Sequence, residues 1–592
     1  MSEPARLYYE KLLFYTDELQ RVSAKVKRFA WYRFVAFVAI FLPLIILGWQ
    51  IATLYSTLPL IVLFFYLIKR NLQLDKIKQT LVVKTRLLED ELKALDHSFL
   101  HFENGEQFLN AEHPFAYDLD LFGEGSLFQY LSRTATVEGR QCLAGWLQKP
   151  LQEKVEIEQR QEAIKELAEM PLWRIDFLTE GNLFQESEAQ YNEIRNWSKM
   201  ELGLDRSNLL KWLICIVPAI TMLAAIPAIL GLSNFYLVAM VFVQFLLLFA
   251  WTKRVNYYFA FFGRKSDLLA KYMQLLRMIE EKEFQSPYLR ELKKKVTEPS
   301  AGKIFGELKS LVKEFEYRQN ILVGVVLNGL LTWDIRCVYK LWNWHKTNHS
   351  RLAEWLEIIA QMDAFISLAN YANNHSEFVF PEITDLDFLF CATELGHPLL
   401  KKDKRVNNDI EIEGWSKIMI VTGANMAGKS TFLRTVGTNI LLAEIGAPVC
   451  ATSMKIRPVD LYTNMRTTDS LLKDESYFFA ELKRIKAVLD RLAAGEQIFV
   501  ILDEMLKGTN SVDKLNGSKE LVRKLAQHQC AAMIATHDLK LSDMEKELPK
   551  QVFNKCFEIR IENNELIFDY KLSDGVTQTM NATFLMKKMG II

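Results

Sequence analysis

Two runs without a charged residue, Phe34 to Ile68 (35 residues) and Trp212 to Thr252 (41 residues), restrict what this chain can fold into more than any other feature. A bilayer-spanning helix needs about 20 apolar residues, since each adds roughly 1.5 Å across roughly 30 Å of hydrocarbon. One straight helix of either length would overshoot. Two helices joined by a turn fit, and breakers sit inside each run: Gln50 to Pro59 in the first, Gly231 to Asn234 in the second. The second run accommodates two spans. The first is tight, which leaves a re-entrant hairpin open there. Core helices of soluble proteins usually carry a polar stripe, whereas Leu42 to Leu47 and, apart from Gln244, Val238 to Ala250 are apolar all round. A cleaved leader fits poorly, because the mostly polar and charged residues 1–33 precede the first run.

The flanks set an orientation. Lys25, Lys27, Arg28 and Arg33 precede the first run, and Lys69, Arg70, Lys76 and Lys78 follow it. Arg206 and Lys211 precede the second, with Lys253, Arg254, Arg264 and Lys265 after it, and neither internal turn carries Lys or Arg. By the positive-inside rule both hairpins enter and leave on the cytoplasmic side. The expectation is a multi-pass integral protein of the inner or plasma membrane, its soluble domains cytoplasmic and the lipid bilayer its first partner.

At 592 residues the chain needs several folding units. Half its residues are apolar and 24% charged, which excludes a disordered chain. Lys plus Arg equals Asp plus Glu at 72 each, so the basic excess usual in nucleic-acid binders is missing, although a local basic groove is compatible with a neutral total. The cysteines at 142, 215, 337, 391, 450, 530 and 556 form no CxxC pair, which argues against zinc ribbons and redox motifs.

The boundaries follow from pattern changes. Residues 1–33 read as a cytoplasmic helix, 34–68 as the first hairpin and 69–117 as a helical linker. Core helices are expected over 118–211, interrupted by the second hairpin at 212–252. A second part of lever and core helices is expected over 253–380, with long amphipathic helices from 255 to 375 broken near Ser286-Pro287 and Glu298 to Gly302. From 381 to 592 short β-branched strands alternate with helices. Ile418 to Thr422, Ile498 to Leu502 and Ala531 to Ala535 read as buried parallel strands. Cys556 to Glu562 and Glu565 to Tyr570, around Asn563-Asn564, read as a hairpin. The fold class is thus multidomain, α and α/β: a helical core and lever with two transmembrane hairpins, plus a P-loop ATPase domain of the ABC type.

The clearest chemistry lies at Gly423, Ala424, Asn425, Met426, Ala427, Gly428, Lys429, Ser430 and Thr431, which match the P-loop pattern after a predicted strand. Glycines let consecutive amides face phosphate oxygens at the positive end of the next helix. Lys429 adds a charge for the β- and γ-phosphates of ATP, and the Ser430 hydroxyl suits Mg²⁺. Ile498 to Leu502 delivers Asp503, expected to hold Mg²⁺ through water, and Glu504, expected to orient or deprotonate the attacking water. His537, after Thr536 at a third strand end, suits a γ-phosphate contact. His345 and His349 have metal-ligand spacing but no nearby carboxylate, so coincidental helix spacing is the better reading, and Lys293-Lys294-Lys295 reads as a solvated helix face.

In this order the elements resemble the MutS family of mismatch-repair ATPases. Gly423 to Thr431 is similar to its P-loop, including Asn425 and Met426. Asp503-Glu504 with Lys507 to Asn510 is similar to its Walker B region, with Met505-Leu506 departing from the usual Leu-Gly. Asp474 to Glu481 resembles its signature segment, and Ala535-Thr536-His537 its histidine-bearing strand end. His397-Pro398-Leu399 resembles the opening of the ATPase domain, and Tyr570 to Leu572 with Gly575-Val576 its closing hairpin. Upstream, Leu121 to Ser132, Thr136 to Arg140, Pro150-Leu151 and Arg160 to Leu167 look like the start of its helical core. The resemblance implies a homodimer through the ATPase domains, with Ser476 reaching the partner's ATP, and arms that hold double-stranded DNA. A mismatch-reading N-terminal domain is missing from the pattern: residues 1–117 hold a hydrophobic hairpin instead.

The leading expectation is therefore a membrane-anchored MutS-like ATPase, with ATP binding and hydrolysis driving clamp motions on mismatched or branched DNA in a repair-like role. The alternative is an ABC-like transporter or membrane-remodelling ATPase that does not act on DNA. Against that stand the lack of intramembrane charge and of a Leu-Ser-Gly-Gly signature.

Overall fold

A computed structural model describes residues 2–48, 50–199, 207–263, 265–385, 387–424, 426–466, 477–562 and 565–578. Helix α1 (Glu3–Leu47) begins where the Ser2 hydroxyl accepts from Ala5 N, and stops at Gly48, whose φ of 63° is readily adopted only by glycine. After the turn, closed by the Thr53 hydroxyl donating to Gly48 O at 2.6 Å, α2 runs from Ile51 to Leu95. The turn thus falls before the Gln50 to Pro59 stretch. Pro59 lies inside α2.

Helices α3 to α7 follow at Leu127–Leu131, Val137–Gln148, Lys154–Ala168, Pro171–Asn182 and Glu188–Lys199. The second uncharged run forms α8 (Ser207–Ile229) and α9 (Phe235–Phe262), joined by a turn in which Gly231 has a φ of 71°. Helices α1, α2, α8 and α9 are each long and apolar enough to cross a membrane, by length and composition. Their apolar faces point outward; Phe249, for example, is 83% exposed.

Helices α10 (Ser266–Glu281), α11 (Pro287–Thr297) and α12 (Ala301–Glu316) are amphipathic, and Leu275, Leu276, Phe305, Leu308 and Val312 are buried along α10 and α12. The expectation of amphipathic helices over 255–375 fails at α13 (Ile321–Leu331). Its sequence, Ile-Leu-Val-Gly-Val-Val-Leu-Asn-Gly-Leu-Leu, has no polar stripe. Helix α14 (Trp333–Asn374) leaves it at 81°.

The chain divides into two compact units. The first comprises Met1–Leu92, Thr134–Gln141 and Leu172–Ala364, the second Lys93–Arg133, Cys142–Pro171 and Phe365–Ile592. Among the described residues the first is helical. Within it, Asp363 is fully buried and accepts from Ala135 N, Thr136 N and the Thr136 hydroxyl, closing the N-terminus of α4. A Cβ at Gly139 would lie 2.7 Å from the Asp363 Cβ, so only glycine fits there.

The second unit holds the strands β1 (Glu382–Ile383), β2 (Leu389–Leu395), β3 (Asn408–Glu413), β4 (Ile418–Gly423), β5 (Ser453–Ile456), β6 (Asp460–Asn464), β7 (Ile498–Asp503), β8 (Cys530–Thr536), β9 (Val552–Glu562) and β10 (Glu565–Asp574). Helices α15 (Lys429–Glu444), α16 (Tyr477–Ala493), α17 (Ser511–Ala526) and α18 (Met544–Glu547) alternate with them. A small sheet has the order β1-β5-β2-β3, and a six-stranded one the order β10-β9-β4-β8-β7-β6. In the larger sheet β9, β4, β8, β7 and β6 are parallel. Strands β4 and β8 are buried at every residue, as expected of parallel strands covered on both faces.

Candidate nucleotide-hydrolysis site

Strand β4 runs into the loop Gly423 to Gly428 and then directly into α15. Met426 and Gly428 take positive φ (70° and 100°), which reverses the chain between strand and helix. A Cβ at Gly428 would stand 2.9 Å from the Tyr570 ring. Gly428 at the N-cap of α15 carries no side chain, and among the described residues no other caps it, so its first-turn amides, which lack intrahelical partners, are open to an anion. Lys429 folds back over the loop, donating to Gly423 O at 2.7 Å and Ala424 O at 2.9 Å. Burial pushes its ammonium pKa down, against the opposing pull of Glu504 and Asp503. Ser430 and Thr431 occupy the first turn and are exposed.

Strand β8 lies between β4 and β7, with Thr422 beside Thr536 and Asp503 beside Ala535. That register brings three strand ends to one edge: the glycine-rich loop, His537, and Asp503-Glu504. At Glu504 the backbone turns off the strand line with a φ of 55°, while its amide still donates to Ala535 O at 3.0 Å. Its carboxylate lies 3.3 Å from His537 Nδ1. A cavity of about 580 Å³ opens beside the loop, bounded by His397, Lys404, Met426, Lys429, Glu504 and Tyr570. That volume is in the range of small-ligand and cofactor sites. Burial, with Arg434 adding to it and Asp120 opposing, lowers His397 to about 4, so its wall of the cavity is a neutral ring.

The donor set suits Mg²⁺. Ser430 and Asp503 offer hard oxygens, and Mg²⁺ bound at phosphates takes few protein ligands and keeps several waters. Ser476 and Asn425 lie outside the described residues. His345 and His349 make ordinary backbone contacts: His345 Nε2 is 2.9 Å from Trp197 O, and His349 Nδ1 is 3.1 Å from His345 O.

Two groups of residues escaped the sequence reading. Glu481, on α16 and 2% exposed, accepts from Leu506 N at 2.6 Å and Lys507 N at 3.1 Å, fixing the loop that follows Glu504. It stands in the Asp474 to Glu481 segment, but nothing in one sequence points its carboxylate at that loop. Asp120 accepts from Arg434, on α15, at 3.1 Å and from Arg466 at 2.5 Å, while Asp118 accepts from Arg466 N at 2.9 Å and Arg484 at 3.2 Å. This acidic pair joins α15 to Arg466, two residues beyond the end of β6. Its only sequence signal is Asp118-Leu119-Asp120 just ahead of Leu121-Phe122-Gly123.

Fold and site together define a multidomain protein, helical in one unit and α/β in the other, with a glycine-rich anion loop facing paired carboxylates. The family is MutS. The family model for MutS domain III matches residues 115–369 and that for MutS domain V residues 419–587, and the chain belongs to the MutS family. It is 32% identical over 251 residues to a DNA mismatch repair protein MutS of Thermotoga sp. (strain RQ2), covering 42% of this chain and 31% of that protein. A Bacteroides thetaiotaomicron protein of the same name is 31% identical over 243 residues, covering 39% and 28% respectively. MutS protein homolog 4 of Mus musculus is 30% identical over 276 residues, 45% of this chain and 26% of that one. The alignments thus span less than a third of each of these relatives. Helices α8 and α9 fall inside the stretch that matches domain III.

Proposed function

We propose that this chain is a membrane-anchored ATP hydrolase of the MutS family, working as a homodimer through its ATPase domains and acting on mismatched or branched DNA. The observation that carries the hydrolase reading is the convergence of the phosphate loop, Asp503-Glu504 and His537 on one edge of the sheet. In this reading Gly423 to Thr431 cradle the triphosphate, Lys429 faces the β- and γ-phosphates, and Ser430 and Asp503 hold Mg²⁺. Glu504 takes the proton of the attacking water or orients it. His537, 3.3 Å away, positions the Glu504 carboxylate and faces the γ-phosphate. Ser476 completes the partner's site. Binding energy released by closing two such faces moves the helical arms.

Anchoring rests on α1, α2, α8 and α9, with their outward apolar faces and basic cytoplasmic flanks. The soluble parts then lie in the cytoplasm, against the inner or plasma membrane. DNA as ligand rests on family membership, and on relatives named as mismatch repair proteins.

The test is ATP turnover by the detergent-solubilised chain with and without duplex and branched DNA. Stimulation whose half-point moves steeply with salt supports the DNA reading, because phosphate contacts release counterions. Turnover indifferent to every DNA, together with Glu504-dependent transport into vesicles, would replace it with the transporter alternative.

A further inference from the structure

Helix α13 has 11 residues, about 16 Å at 1.5 Å per residue and so roughly half the hydrocarbon thickness. No charged side chain occurs between Arg318 and Asp334. Ile321 is 78% and Leu322 80% exposed, and Val325 and Val326 are also exposed, so one whole side of the helix is bare aliphatic surface. Its other side lies on the second hairpin. A Cβ at Gly329 would stand 3.3 Å from the Phe245 ring and 3.5 Å from Val241 on α9.

The contact with Gln244 fixes its depth. In sequence Gln244 stands midway between Phe235, where α9 begins, and Lys253, its first charge. It is fully buried; its amide donates to the Thr221 hydroxyl on α8 (2.5 Å) and to Leu330 O (3.0 Å), and its oxygen accepts from Thr332 N (2.9 Å). Two of these three bonds go to the C-terminal end of α13. A mid-span amide needs such partners because hydrocarbon offers none. At the other end, Arg318 donates to Asn256 on α9 at 3.0 Å, just beyond the basic pair Lys253-Arg254; its side chain also reaches Asp334, which follows the Gln244-bound end, at 3.2 Å. Helix α13 therefore runs beside α9 from its basic flank to its midpoint, and the chain then turns through 81° into α14.

We propose that α13 is a re-entrant membrane segment, immersed in the cytoplasmic half of the bilayer with lipid acyl chains covering Ile321, Leu322, Val325 and Val326. The inference rests on the anchoring reading above. It adds a fifth, half-depth element that docks on the hairpin through Gln244 and begins the helix α14.

The test places bimane at Val326→Cys or at Phe249→Cys, in a Cys215→Ser background, with the full chain in phosphatidylcholine vesicles. Phosphatidylcholine brominated mid-chain should quench both probes several-fold more than aqueous iodide does. Quenching by bromolipid at position 249 but by iodide alone at 326 overturns this proposal and leaves the anchor intact, with α13 facing water or another protein. Iodide quenching alone at both positions removes the anchor and this proposal with it. Should the Val326 variant fail to assemble, the unaltered chain is irradiated with a diazirine phospholipid. Adducts within both 235–251 and 321–331 support immersion, and adducts confined to 235–251 contradict it.

Discussion

Glu481 and Leu506, 25 positions apart in the chain, meet in a 2.6 Å hydrogen bond from the Leu506 amide to a carboxylate that is almost wholly buried. Lys507 N donates to the same group at 3.1 Å. Helix α16 thereby fixes the backbone directly after Glu504, where Leu506 sits at a positive φ of 59°. Glu481→Ala leaves two amides without their acceptor, at a cost of about 1–3 kcal/mol. If that loop holds Glu504 in place, turnover falls about tenfold or more while ATP affinity changes little. Equal loss in both, measured by steady-state kinetics and nucleotide titration, would show that Glu481 acts on the fold alone.

His537 makes a separable contribution. Its Nδ1 is 3.3 Å from Glu504 Oε1, so His537→Ala should lower kcat by about 10-fold or more while leaving nucleotide affinity within a few-fold. His537→Asn, which keeps a donor, should recover part of the rate. An unchanged kcat in His537→Ala would remove the residue from the mechanism.

Acid should weaken the α/β unit. Burial lowers His375 to about 3 and His397 to about 4, each below the ordinary imidazole value of about 6.5. Between those values and 6.5 the unfolded chain binds a proton that the folded chain refuses, so stability falls as pH drops through that window. Each histidine contributes about 1.4 kcal/mol per pH unit there. Amide exchange in β4, β7 and β8 should accelerate from pH 7.5 to pH 5 beyond its intrinsic pH dependence. His375→Gln, which keeps a hydrogen-bonding partner for the Tyr130 hydroxyl now 2.7 Å from Nε2, should roughly halve that slope. An unaltered slope would contradict the assignment.

In the helical unit the sensitive point is Asp363. Its replacement by Ala strips the acceptor from Ala135 N, Thr136 N and the Thr136 hydroxyl, all at 2.7–3.0 Å. The expected loss is about 3 kcal/mol, larger than an ordinary N-cap deletion because the site is fully buried. Chemical denaturation followed in the helical unit checks it; a loss under about 1 kcal/mol would mean that relaxed backbone or water replaces the carboxylate.

What could be read in advance was whatever local pattern dictates. The turn from β4 into α15 declares itself through glycine spacing before a lysine, and β4, β7 and β8 through short apolar runs that a parallel sheet buries. The second hairpin turns at Gly231 as its breakers indicate, but the first turns at Gly48, where the chain takes a positive φ, and carries Pro59 inside α2. Helix α13 was hidden by its length, since 11 residues fall short of any spanning test. Glu481, Asp118 and Asp120 were illegible for a different reason. Their partners are 25 to 366 residues away, and no periodicity records contacts made only when the sheet assembles. Thr136 and Gly139 were visible as part of a family-like segment, yet their reason, the close approach of Asp363, is tertiary.

The central claim is that a phosphate loop facing Glu504 hydrolyses ATP in a membrane-anchored chain. Its most direct measurement is magnesium-dependent ATP binding and turnover in lipid nanodiscs, comparing the unaltered chain with Lys429→Ala and Glu504→Gln. The account predicts turnover in the unaltered chain, loss of binding in Lys429→Ala, and in Glu504→Gln retained binding with a rate lower by about 10²-fold or more. Undiminished hydrolysis by Glu504→Gln, or an unaltered chain that retains no adenine nucleotide, would contradict it.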